Sequence, residues 1–441
     1  MTSRKWYNFI AENMPKGAGH IYRQELLQDI SLFTSQPKAR FYDELFLHMD
    51  LSCMNKTHAK TGRKSQKEAL LCAAIVMKCE GFGYITDLHD YLSNNLIIAH
   101  YCGFNILKKL PSYWTFDRFI RNLDNRILKE IMQSQVLELS RLGIIDTSFI
   151  GLDSTPLAAN TKQNNPKSFM TGKFSKDNQP KADKDCALGV HTASNQQSEK
   201  KFEYYWGYKN HVLVDCITGL PICEMTTPAN IYDSTVALDI LSCTNKFLGI
   251  EECYFLADKA YDCKEIYNTV SNTYKGKCFI PLNVRNTKNP KKLPVGNPIC
   301  EAGLAMHRDG ICRANGHSRQ KYCCPFKRSS HIHDCPCNHK SFHKRKNTGC
   351  TKYITIPDDC RLSINRESVG FKSVYTLRTE CERYNSRFKS TGQERLWVRN
   401  GKSVENLNTI AHISLLAIAI AAVITQSKLS YRCTKSQKRI A

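Results

Sequence analysis

The sequence predicts an α/β protein made of an N-terminal helical domain, a sheet-bearing core and a Cys/His-rich insertion that divides the core. Three observations support this. Apolar residues recur at helical spacing through the first 145 or so residues. Two short apolar runs, one over residues 144–152 and one over Cys253–Ala257, each deliver an aspartate, as buried strands do where an open α/β sheet forms a crevice. Beyond the second run, residues 276–360 lose the apolar pattern and gain cysteine, histidine and positive charge before helical spacing returns.

Taken in order, helices are expected over Glu68–Lys78, Leu88–Leu96 and Phe116–Leu142, separated by Gly81-Phe82-Gly83 and Pro111-Ser112. The run Ile144, Ile145, Phe149, Ile150 and Leu152 leads to Asp153 and a Ser-Thr-Pro break, which predicts a buried strand and then a turn. Asn160–Lys201 is polar and long, so it is expected to be an unstructured or functional loop. The segment FEYYWGYKNHVLVDCITGLPICEMTTPAN predicts two strands folded as a hairpin around Thr218-Gly219. Lys209 and His211 alternate to one face of it, with Asp215 further along. Asp258 closes the next strand. Either aspartate alone also suits a helix cap or a turn start. The expected domains are 1–145 (helical), 146–275 (first part of the core), 276–365 (insertion), 366–426 (last part of the core) and 427–441 (basic tail).

The insertion holds eight cysteines and six histidines between Cys300 and Cys360, and residues 276–360 carry 16 basic and 5 acidic side chains. Cys323, Cys324, Cys335 and Cys337, with CC-P and CPC-NH spacing, can close a tetrahedral structural zinc site, although reduced thiols beside chance histidines give the same pattern.

Tyr375, Arg378, Glu382 and Lys389 fall at offsets of 0, 3, 7 and 14, and on one continuous helix advancing about 100° per residue they share a face roughly 60° wide. One Glu-Arg pair at such spacing is ordinarily a solvated salt bridge. Four functional groups on one face, with two strand carboxylates upstream, suit a different task. Phosphodiester cleavage gathers charge around in-line oxygens, and two metal ions about 3.5–4 Å apart stabilise it. Carboxylates hold the hard cations Mg²⁺ or Mn²⁺. From residues alone this is a basic, metal-dependent phosphodiesterase.

The Y-x2-R-x3-E-x6-K spacing resembles the signature of the insertion-sequence DDE transposases, and strand-Asp, strand-Asp, helix-Glu in this order resembles a ribonuclease H-like catalytic core. GRKSQKEALLCAAIVMKCEGFGYITDLHDYLSNN, YCGF and PSYWTFDRFI are similar to the N-terminal helical domain of these proteins, and Gly-Tyr-Lys-x-His at 207–211 to a further segment of theirs. The resemblance implies that Asp153, Asp258 and Glu382 are the catalytic metal ligands. It implies that Tyr375, Arg378, Lys389, Lys209 and His211 contact DNA, and that the helical domain reads element ends. It further implies cleavage at those ends and strand transfer into target DNA, by a homodimer or larger assembly on double-stranded DNA. A nuclease or resolvase that cuts without joining, and an inactive DNA-binding copy, are the alternatives.

Composition agrees with a polyanionic partner: 63 Lys and Arg stand against 40 Asp and Glu, a net charge of +23. Met1–Met14 has no clean apolar core of a signal, so a cytoplasmic location, on the nucleoid when DNA is bound, is expected. The 21 cysteines then read as reduced thiols or metal ligands. The apolar run Ile410–Ile424 is short for a membrane span, and no membrane partner is expected.

Overall fold

The computed structural model describes residues 34–57, 66–168, 170–193, 201–283, 296–314, 317–328, 350–355, 361 and 364–425. The chain divides into two compact units, one of residues 1–146, 154–231 and 382–441, the other of 147–153 and 232–381. Two elements run through the points of division, strand β1 (Phe149–Ala158) and helix α10 (Thr379–Phe388).

In the first unit, α1 (Pro37–Leu47), α2 (Lys67–Glu80), α3 (Ile85–Asn94), α4 (Leu96–Tyr101), α5 (Tyr113–Asn122) and α6 (Asn125–Arg141) precede the sheet. Helix α2 is buried continuously from Ala69 to Cys79, as a helix apolar on every face but for Lys78 must be, and stops at Gly81, whose φ of 73° is the left-handed C-cap conformation. The helix expected over Phe116–Leu142 is two helices. Asp124 N-caps the second, accepting from Arg126 N at 3.0 Å, so the chain turns there instead of continuing.

Strands β2 (Ala187–Ala193), β3 (Lys201–Asp215) and β4 (Pro221–Pro228) complete this part of the sheet, with β3 antiparallel to both β2 and β4. The expected hairpin closes where Asp215 Oδ1 accepts from Ile217 N at 2.8 Å and Gly219 takes φ 70°. Strand β2 corrects the expectation of an unstructured Asn160–Lys201. ALGVHTA is too short and too weakly apolar to announce itself, and it is held by the long β3, which runs beyond β4.

Helix α11 (Gly401–Ile424) packs on α6, α2 and β4. The run Ile410–Ile424 is thus part of a 24-residue helix long and apolar enough to cross a membrane, and 83% of its most apolar window is buried inside the chain.

In the second unit, the first half of β1 pairs in parallel with β5 (Tyr254–Ala257), and β5 with β6 (Lys277–Phe279); α7 (Asp233–Phe247) lies between β4 and β5 in the chain and α8 (Lys264–Asn268) between β5 and β6. The strand order is β2-β3-β1-β5-β6, with β4 also on β3. A separate antiparallel sheet of β7 (His307–Ala314), β8 (His317–Cys323) and β9 (Thr351–Thr355) follows, then α9 (Val369–Thr376).

Candidate active site

The parallel register of β1 and β5 sets Leu152 opposite Ala257. Asp153 is the next residue of β1, and Asp258 stands just past the end of β5 with its backbone still extended at φ −78°, ψ 178°. Neighbouring strands lie about 4.8 Å apart and paired positions face the same way, so the two carboxylates leave the sheet side by side. Asp258 also has the local role its sequence allows: it caps a short 3-10 turn, Oδ1 accepting from Ala260 N at 2.7 Å.

Asp153 is largely covered, with 15% of its side chain exposed, and Arg378 Nη2 donates to its Oδ1 at 3.4 Å. Aromatic packing brings Arg378 there. Tyr254 on β5 meets Phe279 on β6 at 5.4 Å, Phe279 meets Phe371 on α9 at 5.4 Å, and Tyr375 stacks on Phe371 at 5.9 Å and 15°. The rings dock α9 on the strands, and Arg378 follows two residues after its end.

The expectation of one helix from Tyr375 to Lys389 is corrected. Helix α9 ends at Thr376 and α10 begins at Thr379. Across the break the bonds tighten to three-residue steps, Arg378 N to Tyr375 O at 3.1 Å and Cys381 N to Arg378 O at 2.9 Å. Lys389 opens a π-helical turn that contains Gly392 at φ 86°. With the 3.6-residue period interrupted twice, no single face about 60° wide spans the four residues. Tyr375 and Arg378 belong to the second unit and Glu382 and Lys389 to the first.

Glu382 is exposed on α10, whose buried face is fixed by a polar network in the first unit. Tyr384 hydrogen-bonds His412 Nδ1, and Phe388 stacks on the same imidazole at 4.7 Å. His412 Nε2 reaches Asn210 Oδ1 at 3.0 Å, while Asn210 Nδ2 donates to Glu224 Oε2 at 2.8 Å. Glu224 is fully buried and paired with Lys129, and Thr409 donates to it at 2.7 Å. A second branch runs from buried Lys78 to Gln393 Oε1 at 3.0 Å, and from Gln393 to Asn408 at 2.6 Å. Desolvation lowers Lys78 to about 7 and His412 to about 4. His412 is therefore neutral, its Nε2 proton on Asn210 and its Nδ1 accepting the Tyr384 hydroxyl. Burial pushes the Glu224 carboxyl up, but the charge of Lys129 and the hydrogen bonds from Lys129 and Thr409 more than offset this and hold it below its usual range.

The remaining candidates fall elsewhere. Lys209 Nζ donates to Ile231 O at 3.0 Å. His211 is 0% exposed and hydrogen-bonds Thr227 Oγ1 at 2.9 Å, so the expected DNA-facing histidine is an interior one; alternation gave its face but not which face is covered. Cys324 packs in a small core with Cys300, Met306, Tyr322 and Cys350; neighbouring Cys323 is not part of that core, because adjacent strand residues face opposite ways. Cys335 and Cys337 lie outside the described residues. Among the described residues no group of three or more His, Cys, Asp or Glu side chains is gathered to hold a metal ion. Sequence reasoning missed the Arg378–Asp153 pair and the network on His412. The polar residues Asn406, Asn408, Thr409 and His412 inside an apolar run were the available signal for the latter.

No curated protein matches the chain. Among solved structures, it is similar to the piggyBac transposase synaptic complex with hairpin DNA, at 12% identity and a TM-score of 0.39, over 92% of this chain and 78% of that one. It is also similar to the Mos1 transposase paired-end complex with left transposon end, at 12% identity and a TM-score of 0.17, over 63% of this chain and 72% of that one. Residues 140–417, a span that includes both strand aspartates and the Tyr-Arg-Glu-Lys segment, match the model of the transposase DDE domain, and with most of the chain inside that match it belongs to the DDE transposase family.

Proposed function

We propose that the protein is the transposase of an insertion sequence, cutting DNA at the element ends and joining the freed 3′-hydroxyl to target DNA. The observation that supports this is the register of β1 and β5, which pairs Leu152 with Ala257, the residues just before Asp153 and Asp258, inside the family's domain. The hairpin β3–β4, standing in the chain between β1 and its parallel neighbour β5, supports a ribonuclease H-like core.

Asp153, Asp258 and Glu382 would hold Mg²⁺ or Mn²⁺. Their fit rests on donor chemistry: hard carboxylates, two of them on adjoining strands, and one already attracting the cation Arg378. When bound, the metal would supply charge stabilisation at the attacking and leaving oxygens. Arg378 can grip a phosphate with a planar fork, and Lys389 can follow one as a mobile point charge. The N-terminal helices would read the element ends, with the protein working as a homodimer or larger assembly on DNA in the cytoplasm.

The test uses a plasmid carrying the inverted repeats that flank the gene. Asp153→Asn, Asp258→Asn and Glu382→Gln should each abolish Mg²⁺-dependent cleavage while leaving end binding within about threefold of wild type. Cleavage that persists in one variant removes that residue from the site, and cleavage without joined products would mark a nuclease instead.

A further inference from the structure

The first unit carries a cavity of about 370 Å³ lined by aromatic rings and flanked by arginines. Tyr84 at the N-cap of α3, and Tyr113 and Trp114 opening α5, meet Trp397 there. The first three are 47%, 40% and 59% exposed, which is unusual for rings of this size in one place. Tyr84 lies 4.3 Å from Trp397, and Tyr113 lies 4.9 Å from Trp114. Gly83 makes room for Trp397: a Cβ there would stand 2.3 Å from the indole Nε1. Arg395 sits 4.8 Å from the Trp397 ring centre, Arg121 and Arg399 line the opening, and Asp117, ion-paired with Arg121, is the one acid among the lining residues.

We propose that this cavity binds an unpaired nucleobase of a DNA strand, stacked on Trp114 and the Tyr84–Trp397 pair, with the adjoining phosphates on Arg399 and Arg121. Exposed π-faces bind bases of any identity, and guanidinium groups beside them track the backbone. Within a duplex the bases are stacked on one another and offer no free face, so the ligand is a single-stranded or extruded nucleotide. The site is built by α3, α5 and the segment before α11, without the acids assigned to cleavage. It rests on the transposase reading only in taking DNA as the partner.

The experiment measures binding of the full-length protein to a dT12 single strand and to a 12-base-pair duplex, by fluorescence anisotropy. Trp114→Ala should weaken dT12 binding roughly 5- to 150-fold, the worth of one stacked base. Trp114→Phe, which keeps a π-face, should retain most of it, and duplex binding should change by less than about twofold. Unchanged dT12 binding in Trp114→Ala, or an equal loss on both probes, overturns the pocket. If wild type binds neither probe, the DNA reading itself falls; duplex binding with dT12 indifferent to Trp114 removes the pocket alone. A matching far-ultraviolet spectrum of the variants guards against unfolding.

Discussion

Removing Arg378 tests how Asp153 is held. At 3.4 Å the pair's gross attraction is about 5 kcal/mol for an effective dielectric of about 20, and only 14% and 15% of the two side chains remain exposed. Desolvation and the ordering of both side chains offset much of this, so Arg378→Ala should cost the second unit about 1–3 kcal/mol. For a unit of this size that is a fall in Tm of roughly 2–10 °C without metal. In an Asp153→Asn background the same substitution should cost almost nothing. If a divalent cation at Asp153 competes with this guanidinium, Arg378→Ala should tighten Mg²⁺ binding by up to about the same 1–3 kcal/mol while weakening DNA binding and its salt dependence by about one phosphate contact. Thermal unfolding of the four members of the cycle, with and without Mg²⁺, reads all of these quantities. A coupling below about 0.3 kcal/mol together with unaltered Mg²⁺ affinity would refute the idea that Arg378 occupies the acid until metal and DNA arrive.

Four further outcomes follow. The His412 imidazole is held at about 4 in the fold against an unfolded value near 6.5, so the unfolded chain binds the extra proton in that window. Stability should fall by on the order of 3 kcal/mol as pH drops from about 6.5 to 4, and denaturant melts across that range will show it or not. Lys78, lowered to about 7, gives the same sign between about 10.5 and 7, and Lys78→Met should flatten that upper slope. Gly207→Ala would place a Cβ 2.1 Å from Leu157 O, forcing β3 away from β1; a loss of about 1–3 kcal/mol or more is expected, and a Tm within 1 °C of wild type, roughly, would show that the strands yield freely. If zinc organises the Cys-rich insertion, freshly purified reduced protein should contain about one equivalent, which Cys324→Ser lowers; metal analysis that finds none returns those thiols to simple packing.

Local physics made part of this protein legible from the chain alone. The apolar runs before Asp153 and Asp258 mark the parallel strands β1 and β5, although β1 starts only at Phe149 and runs on through Ser154-Thr155-Pro156, where the sequence predicts a turn, because β3 pairs with its second half; the largely apolar α2 ends where Gly81 allows φ 73°. The runs and the cap need only neighbours in sequence. Strand β2 was illegible because β3 holds it, and the break at Leu377-Arg378 because both pieces are helical in composition.

Sequence by itself determined the order of the acids, the net charge of +23 and the alternation of helical and extended segments, since charge and periodicity are properties of the chain. Tertiary structure decided which side chains meet. Arg378 finds Asp153 across 225 residues and His412 finds Asn210 across 202, and no spacing rule reaches that far. It also decided that His211 is interior and that Tyr84, Trp114 and Trp397 line one cavity, because burial depends on what packs against a face rather than on the face itself.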